Sequence, residues 1–178
     1  YMNPIATLHM ANGRNIVIEL LPESAPNTVN SFIYTASRGY LDHHAIERIV
    51  PGNWVDVSYT AFGKKECRYL IPNEFELNPD VVPLDSHPGA VCMGGYGEAG
   101  LAGCEFFFPL RDCPDHKGIY PVFGRVLEGM DELYRLEKVE TVPVTDFPIE
   151  GVEVNRPVKP EIIERVELEL HGEIYPEP

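Results

Sequence analysis

The sequence predicts a mainly β domain, an antiparallel barrel or sandwich. Three observations carry this: short alternating apolar runs recur along the chain, only two segments have helical periodicity, and an Asn-Gly step joins the first two runs. "IATLHM" (5–10) and "NIVIEL" (15–20) flank Ala11-Asn12-Gly13-Arg14. An Asn-Gly step between two such runs is a strong short-range turn signal, so the chain opens with a hairpin. In "ESAPNTVNSFIYTASRGY", Ser24 is the predicted N-cap and Pro26 sits in the first turn. Val29, Phe32, Ile33 and Ala36 follow at i, i+3, i+4 and i+7, with Gly39 just past the end, which makes an amphipathic helix with one buried face. The strand-like runs "AIERIV", "NWVDVSYT", "RYLI", "GAVCM", "EFFF" and "VFGRVL" come next, each broken by Gly, Pro, Asp or Asn. "MDELYRLEK" (130–138) repeats apolar residues near the helical period and ends on a base, predicting a second, short helix that lies as a lid. Pro143, Pro148, Pro157 and Pro160 predict no regular structure between Thr141 and Glu161. "IIERVELEL" then alternates as a final strand, expected to pair with the N-terminal hairpin, and "HGEIYPEP" reads as a tail.

The chain has 178 residues, 44% of them hydrophobic, and no apolar run long enough to cross a bilayer as a helix. These figures predict one soluble domain over 1–178, its core spanning about 5–170 and its tail 171–178. A formal charge of −14 repels nucleic-acid phosphates and anionic lipid surfaces, so neither partner is expected. "YMNPIATLHM" has no basic segment followed by an apolar core and a small-residue cleavage site, which points to the cytoplasm. The cysteines Cys67, Cys92, Cys104 and Cys113 form no C-x-x-C and are read as reduced thiols. Cys113 and His116 share a spacing seen in zinc sites, but the second ligand pair is missing, so no metal and no cofactor is expected.

"GGYGEAGLAGCEFFFPL" (94–110) contains a literal G-x-G-x-x-G at Gly95, Gly97 and Gly100. A dinucleotide loop must follow a first strand and open a helix whose N-terminus holds the pyrophosphate. Here the chain continues into "LAGCEFFFPL", a strand, and Glu98 would place a negative charge inside the phosphate nest. Two readings remain: a flexible surface loop, or glycines that let an extended ligand backbone lie close because no Cβ intervenes.

Three segments resemble the cyclophilin-type peptidyl-prolyl isomerases. Val17–Asp42 is similar to the family's hairpin and first helix, and "ERIVPG" (47–52) to its F-H-R-x-x-P-G stretch. "PVFGRVLEGMDELYRLEKVET" (121–141) resembles its V-F-G strand and second helix. The glycine loop resembles the family's M-A-N-x-G…G-S-Q-F-F segment, on which a substrate peptide is laid. The resemblance implies a closed antiparallel cyclophilin-like β-barrel of about eight strands, capped by two helices. It also implies isomerisation of Xaa-Pro bonds in protein folding, with a proline-containing peptide or unfolded protein as substrate and a monomeric enzyme. Arg48 matches the family's catalytic arginine. Phe107 matches its pocket phenylalanine, the rest of "FFF" being core, and Trp54 stands where the family has Met, on one strand face with Asp56 and Ser58. Gly94 and Gly95 would offer backbone hydrogen bonds to the peptide. Asn53, Asp56, Glu105, His116 and Tyr120 complete the implied binding set.

The chain departs from the family pattern at several of these positions. Glu47 replaces a His, Asn53 a pocket Phe, Asp56 the Gln that contacts both substrate and arginine, and Glu105 a Gln. Asp115, His116 and Tyr120 stand where Trp, Leu and His are usual. The pocket thus loses apolar lining and gains carboxylates, which bears on turnover more than on peptide binding. Two functions follow: a prolyl isomerase of reduced activity, or a non-catalytic module of the same fold that binds proline-containing or basic peptides. Permanent engagement of Arg48 by Glu47, Asp56 or Glu105 would favour the module.

Overall fold

A computed structural model describes residues 2–57 and 64–178. Strands β1 (Ile5–Met10) and β2 (Asn15–Leu20) form the predicted hairpin, and α1 (Pro26–Ser37) follows. Next come β3 (His44–Ala45), β4 (Arg48–Val50), β5 (Trp54–Asp56) and β6 (Leu70–Ile71), then a one-turn helix α2 (Glu74–Leu77). The glycine loop joins β7 (Ala90–Gly95) to β8 (Leu101–Pro109), and β9 (Val122–Glu128) leads into α3 (Met130–Glu137). The chain then forms β10 (Thr141–Pro143), β11 (Asn155–Pro157) and β12 (Ile162–Glu169). The predicted strand "NWVDVSYT" is described only through Val57. Its remainder, including Ser58, lies outside the described residues.

The main sheet is antiparallel throughout, in the order β3-β12-β1-β2-β9-β7-β8-β5-β4, with β6 paired to β8. β12 pairs with β1 from Ile5↔Glu169 to Met10↔Ile163, so the last strand joins the first hairpin as expected. Closure does not follow. The sheet is a curled half-barrel of nine strands along this path, and among the described residues no ladder links its edges β3 and β4. Only Ile46 and Glu47 separate these two strands, and the Ile46 N–H is spent on the Glu161 carbonyl at 2.8 Å, extending the β12 side. β4 pairs with β5 rather than folding back on β3, so the two edges stay apart.

Alternation along each strand divides the side chains between two apolar clusters. The larger takes Leu8, Ile16, Ile18, Val91, Met93, Phe106, Phe108 and Phe123 from the concave face, together with Val29, Phe32 and Ile33 of α1. Phe32 meets Phe106 edge-on at 5.3 Å and Phe123 at 5.5 Å, a favourable aromatic geometry. α3 adds Leu133 and Leu136 to the same core. The smaller cluster, Ala90, Cys92, Phe107 and Val122, lies on the opposite face. "FFF" is therefore split by the β period: Phe106 and Phe108 enter the main core, and Phe107 points the other way.

Three local expectations are corrected. The N-cap of α1 is Ala25, without a side-chain cap, rather than Ser24. The helix end is satisfied from a distance instead, by Glu74 of α2, which accepts from the Thr28 N–H and the Thr28 hydroxyl, both at 2.8 Å. α2 is itself a third helix, too short for periodicity to reveal. Finally, the proline-rich stretch is not structureless. β10 and β11 pair from Thr141↔Pro157 to Pro143↔Asn155, forming a small separate ribbon. Pro143 and Pro157 stand at strand ends of a two-stranded ribbon, where no inner neighbour needs their missing N–H, and Pro148 and Pro160 lie outside the strands. The C-terminal segment is docked as well, since Tyr175 packs on the main core.

Candidate active site

The pairing register sets the site. Arg48 of β4 stands opposite Asp56 of β5, and Asp56 opposite Phe107 of β8, so three consecutive strands place one residue each in a row. Trp54 lies two residues from Asp56 and Glu105 two from Phe107, which puts all five on the face turned away from the main core. There they line a groove of about 310 Å³. Gly94 and Gly95 at the end of β7, and His116 and Tyr120 from the connection to β9, complete the part of the lining expected from the sequence.

The glycine loop runs from strand to strand through a single 3-10 turn (97–99), so it is a hairpin connection and no phosphate cradle. Gly94 is required by close approach, since a Cβ there would stand 2.9 Å from the backbone oxygen of Glu105. Both glycines keep this edge of the groove bare.

Opposite lies a box of aromatic rings. His116 and Tyr120 stand 4.7 Å apart, Phe107 is 5.9 Å from Tyr120 and 6.0 Å from His116, and Trp54 is 5.7 Å from His116 and 6.1 Å from Phe107. Trp54 Nε1 and His116 Nδ1 are buried without a hydrogen-bond partner. Burial pushes the His116 imidazole below its ordinary pKa, with Asp115 opposing and Arg111 reinforcing, so the ring is neutral near pH 7.

Arg48 is fixed from two sides. Its Nη1 donates to Asp56 Oδ2 at 2.8 Å and its Nε to the Glu153 carbonyl at 2.9 Å, while its guanidinium carbon lies 5.6 Å from the Trp54 ring centre. Its side chain is only 11% exposed although β4 is an edge strand, which sets it apart from an ordinary surface arginine. Burial pushes the Asp56 carboxyl up to about 7, against the lowering effect of Arg48 and helped by the charge of Glu105. Glu105 accepts from the Tyr96 hydroxyl on both oxygens, at 2.9 and 2.6 Å. Glu47 does not line the groove; its Oε2 is 4.0 Å from Arg156 Nε.

Asn53, expected in the binding set, is also corrected. Its Oδ1 accepts from Arg111 Nε at 2.7 Å outside the groove lining, because β5 begins at Trp54 and Asn53 belongs to the turn before it. Three lining residues escaped sequence reasoning: Tyr96, Ile149 and Val152. Tyr96 sits inside the glycine loop, where an aromatic among glycines was a usable signal. Ile149 and Val152 come from the tip between β10 and β11, which proline content had removed from consideration.

Curled sheet, packed helices and a groove across β4, β5 and β8 define a cyclophilin-like fold. A cyclophilin type peptidyl-prolyl cis-trans isomerase of Cryptosporidium parvum superposes with a TM-score of 0.73 at 17% identity, covering 95% of this chain and 98% of that one. A crystal structure of the same protein in the presence of the dipeptide Ala-Pro gives 0.71 at 15% identity, covering 93% and 98%. The family profile "Cyclophilin type peptidyl-prolyl cis-trans isomerase/CLD" matches residues 5–168, and the chain belongs to this family. It is 31% identical over 153 residues to peptidyl-prolyl cis-trans isomerase-like 1 of Gibberella zeae, covering 86% of this chain and 91% of that protein. It is 30% identical over 152 residues to peptidylprolyl isomerase domain and WD repeat-containing protein 1 of Mus musculus, covering 84% of this chain but spanning only 23% of that protein's length. Among the described residues, no helix is long and apolar enough to cross a membrane.

Proposed function

We propose that this chain catalyses cis-trans isomerisation of Xaa-Pro bonds in peptides and unfolded proteins. The observation that carries the reading is Arg48, held by Asp56 and the Glu153 carbonyl beside an aromatic box in an open groove. Burial lifts the Asp56 carboxyl to about 7, so it does not neutralise the guanidinium permanently and the criterion for the binding module is not met. Rotation about an Xaa-Pro bond faces a barrier of ~18–20 kcal/mol set by amide resonance. In the twisted state the prolyl nitrogen becomes pyramidal and regains its lone pair, and a cation hydrogen-bonding to it stabilises that state over the planar one. Arg48 is that cation. Phe107, Trp54, His116 and Tyr120 hold the proline ring, while Gly94 and Gly95 offer backbone groups to the rest of the peptide. Neither acid, base nor nucleophile takes part, and no cofactor is called for. The presence of Ala-Pro with the Cryptosporidium protein supports a proline ligand.

We read residues 1–178 as one domain, a reading supported by the docking of Tyr175 on the core, and propose that it acts as a monomer. The cytoplasm is the proposed location, and four free, buried cysteines support a reducing compartment.

A coupled assay of Xaa-Pro isomerisation on the purified chain tests the function. Acceleration over the uncatalysed rate is expected; peptide binding without acceleration would give the fold to the binding-module reading instead.

Asp56 adds a pH dependence. Below its pKa of about 7 it is a neutral acid and leaves the Arg48 charge uncancelled; above it, the carboxylate opposes that charge. The value of kcat/KM is expected to fall several-fold from pH 6 to pH 8, and Asp56→Asn should flatten the profile. A flat parent profile would remove Asp56 from control of the arginine. Stability follows the same sign. The folded state keeps a proton that the unfolded chain releases near the ordinary 3.8, so this contribution is full below that value and is lost as pH rises through about 7.

A further inference from the structure

The tip between β10 and β11 reaches the groove with two apolar side chains. Ile149 and Val152 both line the cavity, and Ile149 remains 45% exposed. Neither belongs to an apolar cluster of the fold, so their packing against the main chain does not explain them. The segment is nevertheless held in place at several points. Val144 N–H donates to the Val154 carbonyl at 2.9 Å, closing the ladder beneath the tip. Asn155 Nδ2 donates to the Ile49 carbonyl of β4 at 3.0 Å and to Glu153 Oε2 at 2.8 Å. The Glu153 carbonyl meets Arg48 Nε, so the tip is fastened next to the proposed catalytic cation.

A pinned apolar pair on one wall of a groove presents fixed hydrocarbon to whatever lies beside Arg48. The aromatic box alone suffices for a pyrrolidine ring, and the cavity of about 310 Å³ extends from that box to the tip. An extended peptide with its proline in the box carries its neighbouring residues along this wall. We propose that Ile149 and Val152 form an apolar subsite that receives an apolar side chain adjacent to the substrate proline. The substrate class is thereby narrowed to Xaa-Pro segments flanked by aliphatic or aromatic residues, of the kind an unfolded protein core exposes. This inference rests on the peptide-isomerase reading of the same groove.

The test uses two series of short peptides around one Xaa-Pro bond. In one the residue before proline is Leu, Ala or Glu, and in the other the residue after it is varied in the same way. The full chain is expected to prefer Leu over Ala by about ten-fold in kcat/KM in one series, the scale of burying part of an aliphatic side chain. Ile149→Ser should bring that ratio close to one, Ile149→Met should retain most of it, and Val152→Ala should reduce it. Ile149 is 45% exposed and belongs to no core cluster, so its replacement is compatible with folding, which an unchanged Tm confirms. Equal Leu and Ala values for the parent in both series would overturn the subsite, as would a Leu preference untouched by Ile149→Ser. Should the parent turn over none of the peptides, the isomerase reading fails separately. Calorimetric titration of the same peptides then decides the subsite, with a Leu preference lost in Ile149→Ser supporting it and equal or absent binding overturning it.

Discussion

Arg48→Ala is expected to lower kcat/KM for a model Xaa-Pro peptide by about ten- to a thousand-fold, the scale of losing one electrostatic stabiliser from a partly dehydrated site. An exposed arginine could be removed without thermal consequence, but this one is not exposed. Its side chain is 11% accessible and its partner Asp56 7%. Removing one member of a buried pair costs about 3–5 kcal/mol when the other must remain charged. Asp56 has an escape, because burial already pushes its carboxyl to about 7 and loss of the guanidinium favours the proton further. The loss in Tm should therefore be small at pH 6 and larger at pH 8. The double replacement Arg48→Ala with Asp56→Asn separates the two effects: it is expected to recover the stability and none of the rate. Unequal recovery of this kind cannot arise if Arg48 only supports the fold. Equal isomerisation rates for parent and Arg48→Ala would take Arg48 out of the mechanism and leave a peptide-binding groove.

Arg48 and Phe107 were legible through their resemblance to the family's motif residues, and the strand period explains why that resemblance holds in space. Once "ERIVPG" and "NWVD" are strands joined by a tight turn, Arg48 and Asp56 fall opposite each other, and the same period sets Phe107 apart from Phe106 and Phe108. Asn53 shows where that logic stops. It is adjacent to Trp54 in sequence, but it lies in the turn, and a turn residue takes its direction from local backbone geometry that no period encodes. The Glu153 carbonyl that orients Arg48 is a main-chain atom, which any residue type would supply, so nothing in composition could signal it. The tip bearing Ile149 and Val152 was masked by its prolines. They forbid inner strands but not a two-stranded ribbon, and four prolines alone do not distinguish the two cases. Closure failed for a related reason: whether the edges β3 and β4 meet depends on how the whole sheet curls and on their pairing with β12 and β5, and no local residue pattern encodes that.

Glu74→Ala is expected to destabilise the fold by about 3 kcal/mol, within the range for leaving buried donors unpaired. Glu74 is fully buried. One carboxylate oxygen accepts from the Thr28 N–H and hydroxyl at 2.8 Å, and the other from Asn78 Nδ2 at 2.7 Å. Thr28 lies in the first turn of α1, where N–H groups have no intrahelical partner and the helix dipole favours negative charge. The sequence offered Ser24 as a local cap, and the structure replaces it with a carboxylate 46 residues away from Thr28. Alanine removes the acceptor, leaves the two Thr28 donors unpaired in a space closed to water, and takes the partner from the partly buried Asn78. For a chain of this size the loss corresponds to a fall in Tm of roughly 6–12 °C. Glu74→Gln keeps the shape and one acceptor oxygen, so its cost should be smaller, about 1 kcal/mol. The consequence reaches the groove through packing. α1 holds Phe32 against Phe106 of β8, and the next residue of that strand, Phe107, forms the groove wall. Urea titration followed by circular dichroism would measure the effect. A midpoint for Glu74→Ala equal to the parent's would show that α1 does not depend on this distant cap.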